Sequence, residues 1–230
     1  MGRWDELVAD GERAIEEAGE HGGEQVVVGA KGMLAGVGFL RGQCDLEPVR
    51  AGYEMALDLS DPQSVAPNAA WRVAMATAAG RLDEANRAAD VLRDVVPHGT
   101  RDRALLVAAP WLVVLGRTDD LEFLTSRESP DMWRYANAAV EFGRGIAAQA
   151  RGRLDEADAH LEKATGVFEG MGHRWDATLA RIHHCEVLEA LGRTEDAAET
   201  REKAAVVASE LGATRALGWL EQGTPLAAAG

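Results

Sequence analysis

Apolar side chains recur along this chain at helical spacing. Leu154, Ala157, Leu161, Ala164 and Phe168 fall at i, i+3, i+7, i+10 and i+14, which lays one apolar stripe along a helix. Ala85, Ala89 and Leu92, extended by Leu82 and Val95, draw the same stripe earlier in the chain. Breakers separate such segments at His21-Gly22-Gly23, Ser60-Asp61-Pro62, Pro97-His98-Gly99, Ser129-Pro130, Gly170 to Gly172 and Gly212. The pattern predicts an all-α chain of about 11–12 helices, over roughly 3–19, 24–41, 45–59, 64–79, 82–96, 101–115, 118–127, 131–151, 154–170, 173–191, 194–211 and 214–222. Val26-Val27-Val28 is the one β-flavoured run, and it sits inside a helical frame. The stretch 223–230 is expected to be a flexible tail.

A turn phrase punctuates these helices. It begins at Gly2, Gly42, Gly80, Gly116, Gly152 and Gly192, with starts 40, 38, 36, 36 and 40 residues apart; Gly80-Arg81-Leu82-Asp83-Glu84-Ala85 and Gly152-Arg153-Leu154-Asp155-Glu156-Ala157 are its fullest forms. The glycine ends one helix in a left-handed cap, and the acids then face the positive end of the next helix's dipole. Repetition at a near-constant interval marks a stacked array in which each helix pair contacts mainly its neighbours. The expected organisation is a single array over 1–222: a half-unit at 2–23, units at about 24–63, 64–100, 101–130, 131–172 and 173–212, and a terminal helix at 213–222. The first phrase has no helix before it. The chain is therefore expected either to be trimmed from a larger regulator or to have that face covered by another protomer. An array of this kind places function in a surface.

Seven residues before the turn glycines stand Ala35, Val73, Ala109, Gly145 and Cys185, all small or modest in size. Five after them, Ala85, Ala157 and Ala197 match an alanine position, and Pro97 lies seventeen after Gly80. On these residues the chain resembles the tetratricopeptide-repeat family. That resemblance implies a right-handed α-α superhelix of antiparallel helix pairs. The period exceeds the family's usual value of about 34, and the bulky aromatics of its first helix are mostly missing. Longer alanine-rich repeats of this kind are similar to the repeat regions of bacterial LuxR-type and STAND-type regulators, where the repeats receive signals. HEAT-like repeats are the alternative assignment; they tolerate the spacing but do not call for the turn phrase.

The resemblance also implies a groove. Its contact rows fall on Phe39, Leu106, Val113, Phe142 and Ile146, with Thr77, Pro110 and Gln149 in the same rows. The carboxylate-clamp pattern of Lys, Arg and Asn is missing, apart from Arg103 at the outermost row. The expected partner is thus an apolar or mildly basic segment of a protein or peptide, most naturally a helix. Alternatively, these side chains pack against each other or against a second protomer. A rival of another class is a small-molecule effector sensor, with a pocket near Pro110, Trp111 and Trp133.

Charge narrows the partners. A formal net charge of −14 repels phosphate backbones and anionic lipid, so neither direct nucleic-acid nor membrane binding is expected. The longest apolar run, Ala104 to Leu115, has 12 residues, which suits a buried helix and not a membrane span. Cys44 and Cys185 lie in separate repeats and are not expected to pair, which fits a reducing cytoplasm. His183-His184-Cys185-Glu186 has only His183 and Glu186 at ligand spacing, and Cys185 already fills a packing position. Gly29-Ala30-Lys31-Gly32 and Gly36-Val37-Gly38 match neither phosphate-loop order, so their glycines are read as sites of close helix approach. No catalysis, metal or cofactor is expected. Pro110 interrupts a helix and removes the amide that the Leu106 carbonyl would accept, so a kink is expected there.

Overall fold

In the computed structural model, residues 4–21, 23–96, 102–126 and 133–227 are described. The breakers Pro97-His98-Gly99 and Ser129-Pro130, together with Gly2 and Gly22, lie outside them. The described residues form twelve α-helices and no strand: α1 (Trp4–His21), α2 (Glu24–Leu40), α3 (Glu47–Leu59), α4 (Pro62–Ala78), α5 (Leu82–Val95), α6 (Asp102–Val114), α7 (Thr118–Ser126), α8 (Arg134–Ala150), α9 (Leu154–Gly170), α10 (Arg174–Ala190), α11 (Thr194–Glu210) and α12 (Thr214–Gln222). Each was expected from the apolar period. The start of α4 falls earlier than the expected 64, because Pro62 opens the helix instead of blocking it. A proline is tolerated at the first helical position, and the Asp61 carboxylate caps the helix by accepting the Gln63 amide at 3.1 Å.

The turn phrase works as a closed hydrogen-bonded motif. At Gly80 (φ +72°) the Arg81 amide reaches back to the Ala76 carbonyl at 2.8 Å. The same bond recurs from Arg117 to Leu112, Arg153 to Ala148 and Arg193 to Leu188. The arginine of the phrase has a second role. Its side chain bridges to the acid three residues on: Arg81 to Glu84 at 3.0 Å, Arg117 to Asp120 at 2.6 Å, Arg153 to Glu156 at 2.8 Å and Arg193 to Asp196 at 2.8 Å. The acids thus face the helix dipole and also pin the turn. Gly172 and Gly212 end α9 and α11 with the same cap.

The chain divides into two compact units, with the boundary between Ala108 and Ala109 inside α6. In the first, α1 to α5 pack each on the next, and α2 also meets α4. In the second, α7 to α12 do likewise, with α8 meeting α10 and α10 meeting α12. These contacts between alternate helices make α2 and α4 in the first unit, and α8, α10 and α12 in the second, an inner layer, the arrangement of a helical repeat. Of the inner helices, α4, α8 and α10 are buried on most faces, whereas α5 and α9 bury one stripe. Ala157, Leu161, Ala164 and Phe168 are fully buried as the period requires, but Leu82 at the start of α5 is 54% exposed.

The small positions before the turns are buried: Ala35, Val73, Ala109 and Cys185, with Gly145 tightest, where a Cβ would lie 2.6 Å from Leu161 Cγ. α6 is helical through Pro110, and α4 also carries an internal proline, Pro67. Past α12, Thr224 and Leu226 are buried, whereas Ala227 is exposed.

Candidate functional site

The eight residues of the implied contact rows are distributed over both units. In the first, Phe39 is 1% exposed and meets Trp71 edge to face, with centroids 6.4 Å apart. Thr77 is buried and donates its hydroxyl to the Val73 carbonyl of its own helix at 2.7 Å; Leu106 is buried. In the second, Pro110, Phe142 and Ile146 are buried, and Phe142 stands edge-on to His183 at 5.7 Å. Six of the eight are therefore packed within the chain. Val113 and Gln149 are half-buried.

Gln149 leads to a polar cluster that the contact rows only touch. α8 supplies Gln149, α10 supplies His183 and Glu186 one turn apart, and the residues after α12 supply Thr224. The Gln149 side-chain amide donates to Glu186 Oε2 at 3.1 Å. Thr224 gives Glu186 two bonds, its backbone amide to Oε1 at 2.5 Å and its hydroxyl to Oε2 at 2.9 Å. Gly223, at φ +88°, turns the chain out of α12 so that Thr224 reaches α10. His183 Nδ1 lies 4.0 Å from Glu186 Oε2. Gln149 Oε1 and His183 Nδ1 are buried and have no hydrogen-bond partner among the described residues. Burial lowers the His183 pKa from 6.5 to about 4 against the opposing pull of the Glu186 charge, so the ring is neutral near pH 7.

Beside this cluster, a cavity of about 360 Å³ opens between α10, α11 and α12. Ile182, Cys185, Trp219 and Leu220 form its apolar lining, and Glu186, Glu189 and Glu221 its acidic one. Arg201 is the cation in the wall. It donates to Glu189 at 2.5 Å and to the Leu220 carbonyl at 3.2 Å. Burial pushes the Cys185 thiol up to about 11, which keeps it protonated and poorly nucleophilic. A second cavity of about 320 Å³, at the α7–α9 surface, has Arg153 in its wall, held by Glu122 at 3.1 Å and Glu156 at 2.8 Å.

Neither of these two cavities is lined by Pro110, Trp111 or Trp133. Trp111 is buried against Trp219, with centroids 6.2 Å apart, and so backs onto the larger cavity; Trp133 is 66% exposed at the start of α8. The His183-His184-Cys185-Glu186 run diverges. His184 Nε2 lies 2.6 Å from the Asp158 carboxylate on α9, while His183 faces Phe142 and Glu186. No cluster of three or more metal-ligating side chains occurs among the described residues. The glycines of α2 are close-approach sites in part: a Cβ on Gly32 would meet Asn68 Oδ1 at 2.6 Å and one on Gly36 would meet Trp71 at 2.3 Å, whereas Gly29 faces open space. Among the described residues no helix is long and apolar enough to cross a membrane.

Sequence reasoning missed the Glu186–Thr224 contact. The available signal was Glu186 itself, a carboxylate six residues before its turn glycine, in a row otherwise filled by Gly36, Ala74, Pro110 and Ile146.

No family model matches this chain, and no curated protein is significantly similar to it. Among solved structures it is similar to the crystal structure of BtubC (BKLC) from P. vanneervenii. The TM-score is 0.51 at 16% sequence identity, over 89% of this chain and 91% of that one. At that identity the likeness shows the helical-repeat fold.

Proposed function

We propose, from the helical-repeat fold, that this chain is a non-catalytic interaction module that receives an apolar or mildly basic segment of a partner protein. The observation that carries this reading is the cavity between α10, α11 and α12, where three carboxylates surround an apolar lining that includes Trp219. An indole face and nearby carboxylates suit a cationic side chain with an aliphatic stem. The net charge of −14 favours such a partner at long range and disfavours nucleic acid or anionic membrane. The tetratricopeptide-like turn phrase, with its long alanine-rich period, supports a place in the cytoplasm as the regulatory repeat region of a bacterial LuxR-type or STAND-type regulator.

The test is capture of partners from the native cell, followed by calorimetry with the purified partner. Binding that weakens at least tenfold on Glu189→Lys together with Glu221→Lys supports the reading. A partner held equally well by that variant contradicts it.

A second reading draws on the size of the same cavity. About 360 Å³ lies within the range of small-molecule sites, which supports an effector sensor. A thermal-shift screen separates the two, because a ligand at a hundredfold excess over its Kd stabilises by about 2.7 kcal/mol. A stabilising small molecule that is displaced by Trp219→Ala favours the sensor.

A further inference from the structure

We propose that the face of α10 at Glu186 is a docking site for a short non-helical segment of the form Lys-Thr-Pro-Leu, and that the chain's own Thr224-Pro225-Leu226 covers it in cis. The inference rests on the interaction-module reading and gives that module a recognition chemistry.

Three observations support it. Glu186 uses both carboxylate oxygens on one residue, taking the main-chain amide of Thr224 at 2.5 Å and its hydroxyl at 2.9 Å. A carboxylate only accepts hydrogen bonds, so it selects a segment whose amide is not committed to a helix and whose side chain donates beside it. The cis segment is seated rather than merely adjacent, since Thr224 is 2% exposed and Leu226 is 6% exposed. Pro225 keeps this segment out of a helix continuing from α12.

The cis segment is also an incomplete occupant. Gln149 Oε1 and His183 Nδ1, around the same Glu186 carboxylate, have no partner among the described residues. Gly223 lines the cavity of about 360 Å³ without a side chain to fill it. A Cβ at that position would lie 3.8 Å from Glu186 Oε1, so a lysine there starts its stem at the acidic wall and can carry its ammonium to the cavity's carboxylates. A segment arriving in trans does not begin at a helix end, so it need not take the φ of +88° that Gly223 adopts. The tail therefore acts as a tethered competitor, whose millimolar effective concentration sets the affinity a partner segment must exceed.

The probe is a fluorescein-labelled peptide, Lys-Thr-Pro-Leu-Ala-Ala-Ala, titrated into the full chain and followed by polarisation. The full-length variant Thr224→Ala with Leu226→Ala is expected to bind it at least tenfold more tightly than the parent chain. Adding Glu186→Gln, or replacing the peptide's Thr by Val, is expected to lose at least tenfold. A released variant of unchanged helicity that binds no more tightly than the parent overturns the proposal, as does binding indifferent to Glu186→Gln. The parent chain gives a check that needs no substitution: millimolar peptide is expected to speed amide exchange in 223–227 by displacing the tail, and unchanged exchange overturns the proposal. Failure of the peptide with charge-dependent partner capture intact overturns this inference alone. A peptide that binds through Glu186 while captured partners ignore Glu189 and Glu221 overturns the broader reading and leaves the docking site standing.

Discussion

Trp71 lies across Gly36, so close that a Cβ on residue 36 would fall 2.3 Å from the indole Cζ2. The pair joins α2 to α4, two inner-layer helices of the same unit, and Trp71 in turn meets Phe39 one helical turn beyond Gly36. A helix that carries glycine here trades helical propensity for closeness of approach.

Gly36→Ala should therefore destabilise the chain by about 1–3 kcal/mol, the usual range for overpacking a filled site. Gly29 in the same helix faces open space. Gly29→Ala should be neutral or stabilise by up to about 1 kcal/mol through helix propensity. Urea unfolding of the two variants checks the contrast. Equal effects would mean that α2 and α4 do not meet as described.

Acid should weaken the fold through His183. Its folded pKa of about 4 lies below the unfolded value of 6.5, so between these values the unfolded chain binds a proton that the folded chain refuses. Stability from this group is full above pH 6.5, falls as pH drops, and is lost by about pH 4, an effect on the order of 3 kcal/mol. Glu141 acts in a lower window. Burial raises its pKa, but the hydrogen bonds from Lys163 and His160 outweigh that and hold it below 4.5, so its contribution survives until the pH falls below that value. Thermal melts from pH 7 to 4 should slope downward in the parent chain and less steeply in His183→Gln. Identical slopes would contradict the buried, neutral ring.

The two thiols should separate kinetically. Cys44 is exposed and Cys185 is buried; both are free, and Cys185 is further held protonated by its raised pKa. Titration with a chromogenic disulfide at pH 8 should release one equivalent at once and the second only on unfolding in guanidinium. Two fast equivalents would mean that the cavity admits reagent freely to Cys185.

The fold was legible because its signals are local. A 3.6-residue apolar period sets each helix, and a glycine followed by Arg and two acids sets each turn, so the caps at Gly80, Gly116, Gly152 and Gly192 could be placed without any long-range information. The site was not legible for the opposite reason. Periodicity marks Phe142 and Ile146 as facing inward, but whether inward means an open groove or a filled core depends on how closely α8, α10 and α12 approach. Gly145 against Leu161 sets how closely α8 meets α9, and Thr224, beyond α12, closes on Glu186 of α10. Thr224 finds Glu186 across 38 residues of sequence, and no pattern within one repeat encodes such a contact. Gln149 was reached through its row in the repeat, while its bond to Glu186 emerged only from the packing of α8 on α10.

The central claim is that a partner segment is received at the acidic cavity beside Glu186. Site-specific photo-crosslinking in the native cell tests it most directly. A benzophenone side chain replacing Glu221, in the cavity wall, is compared with one replacing Val206, which is 52% exposed on α11. The account predicts a discrete crosslinked protein from position 221 that disappears with Glu189→Lys, and none from position 206. Crosslinking from 206 but not 221, or a product at 221 that persists with Glu189→Lys, would contradict it.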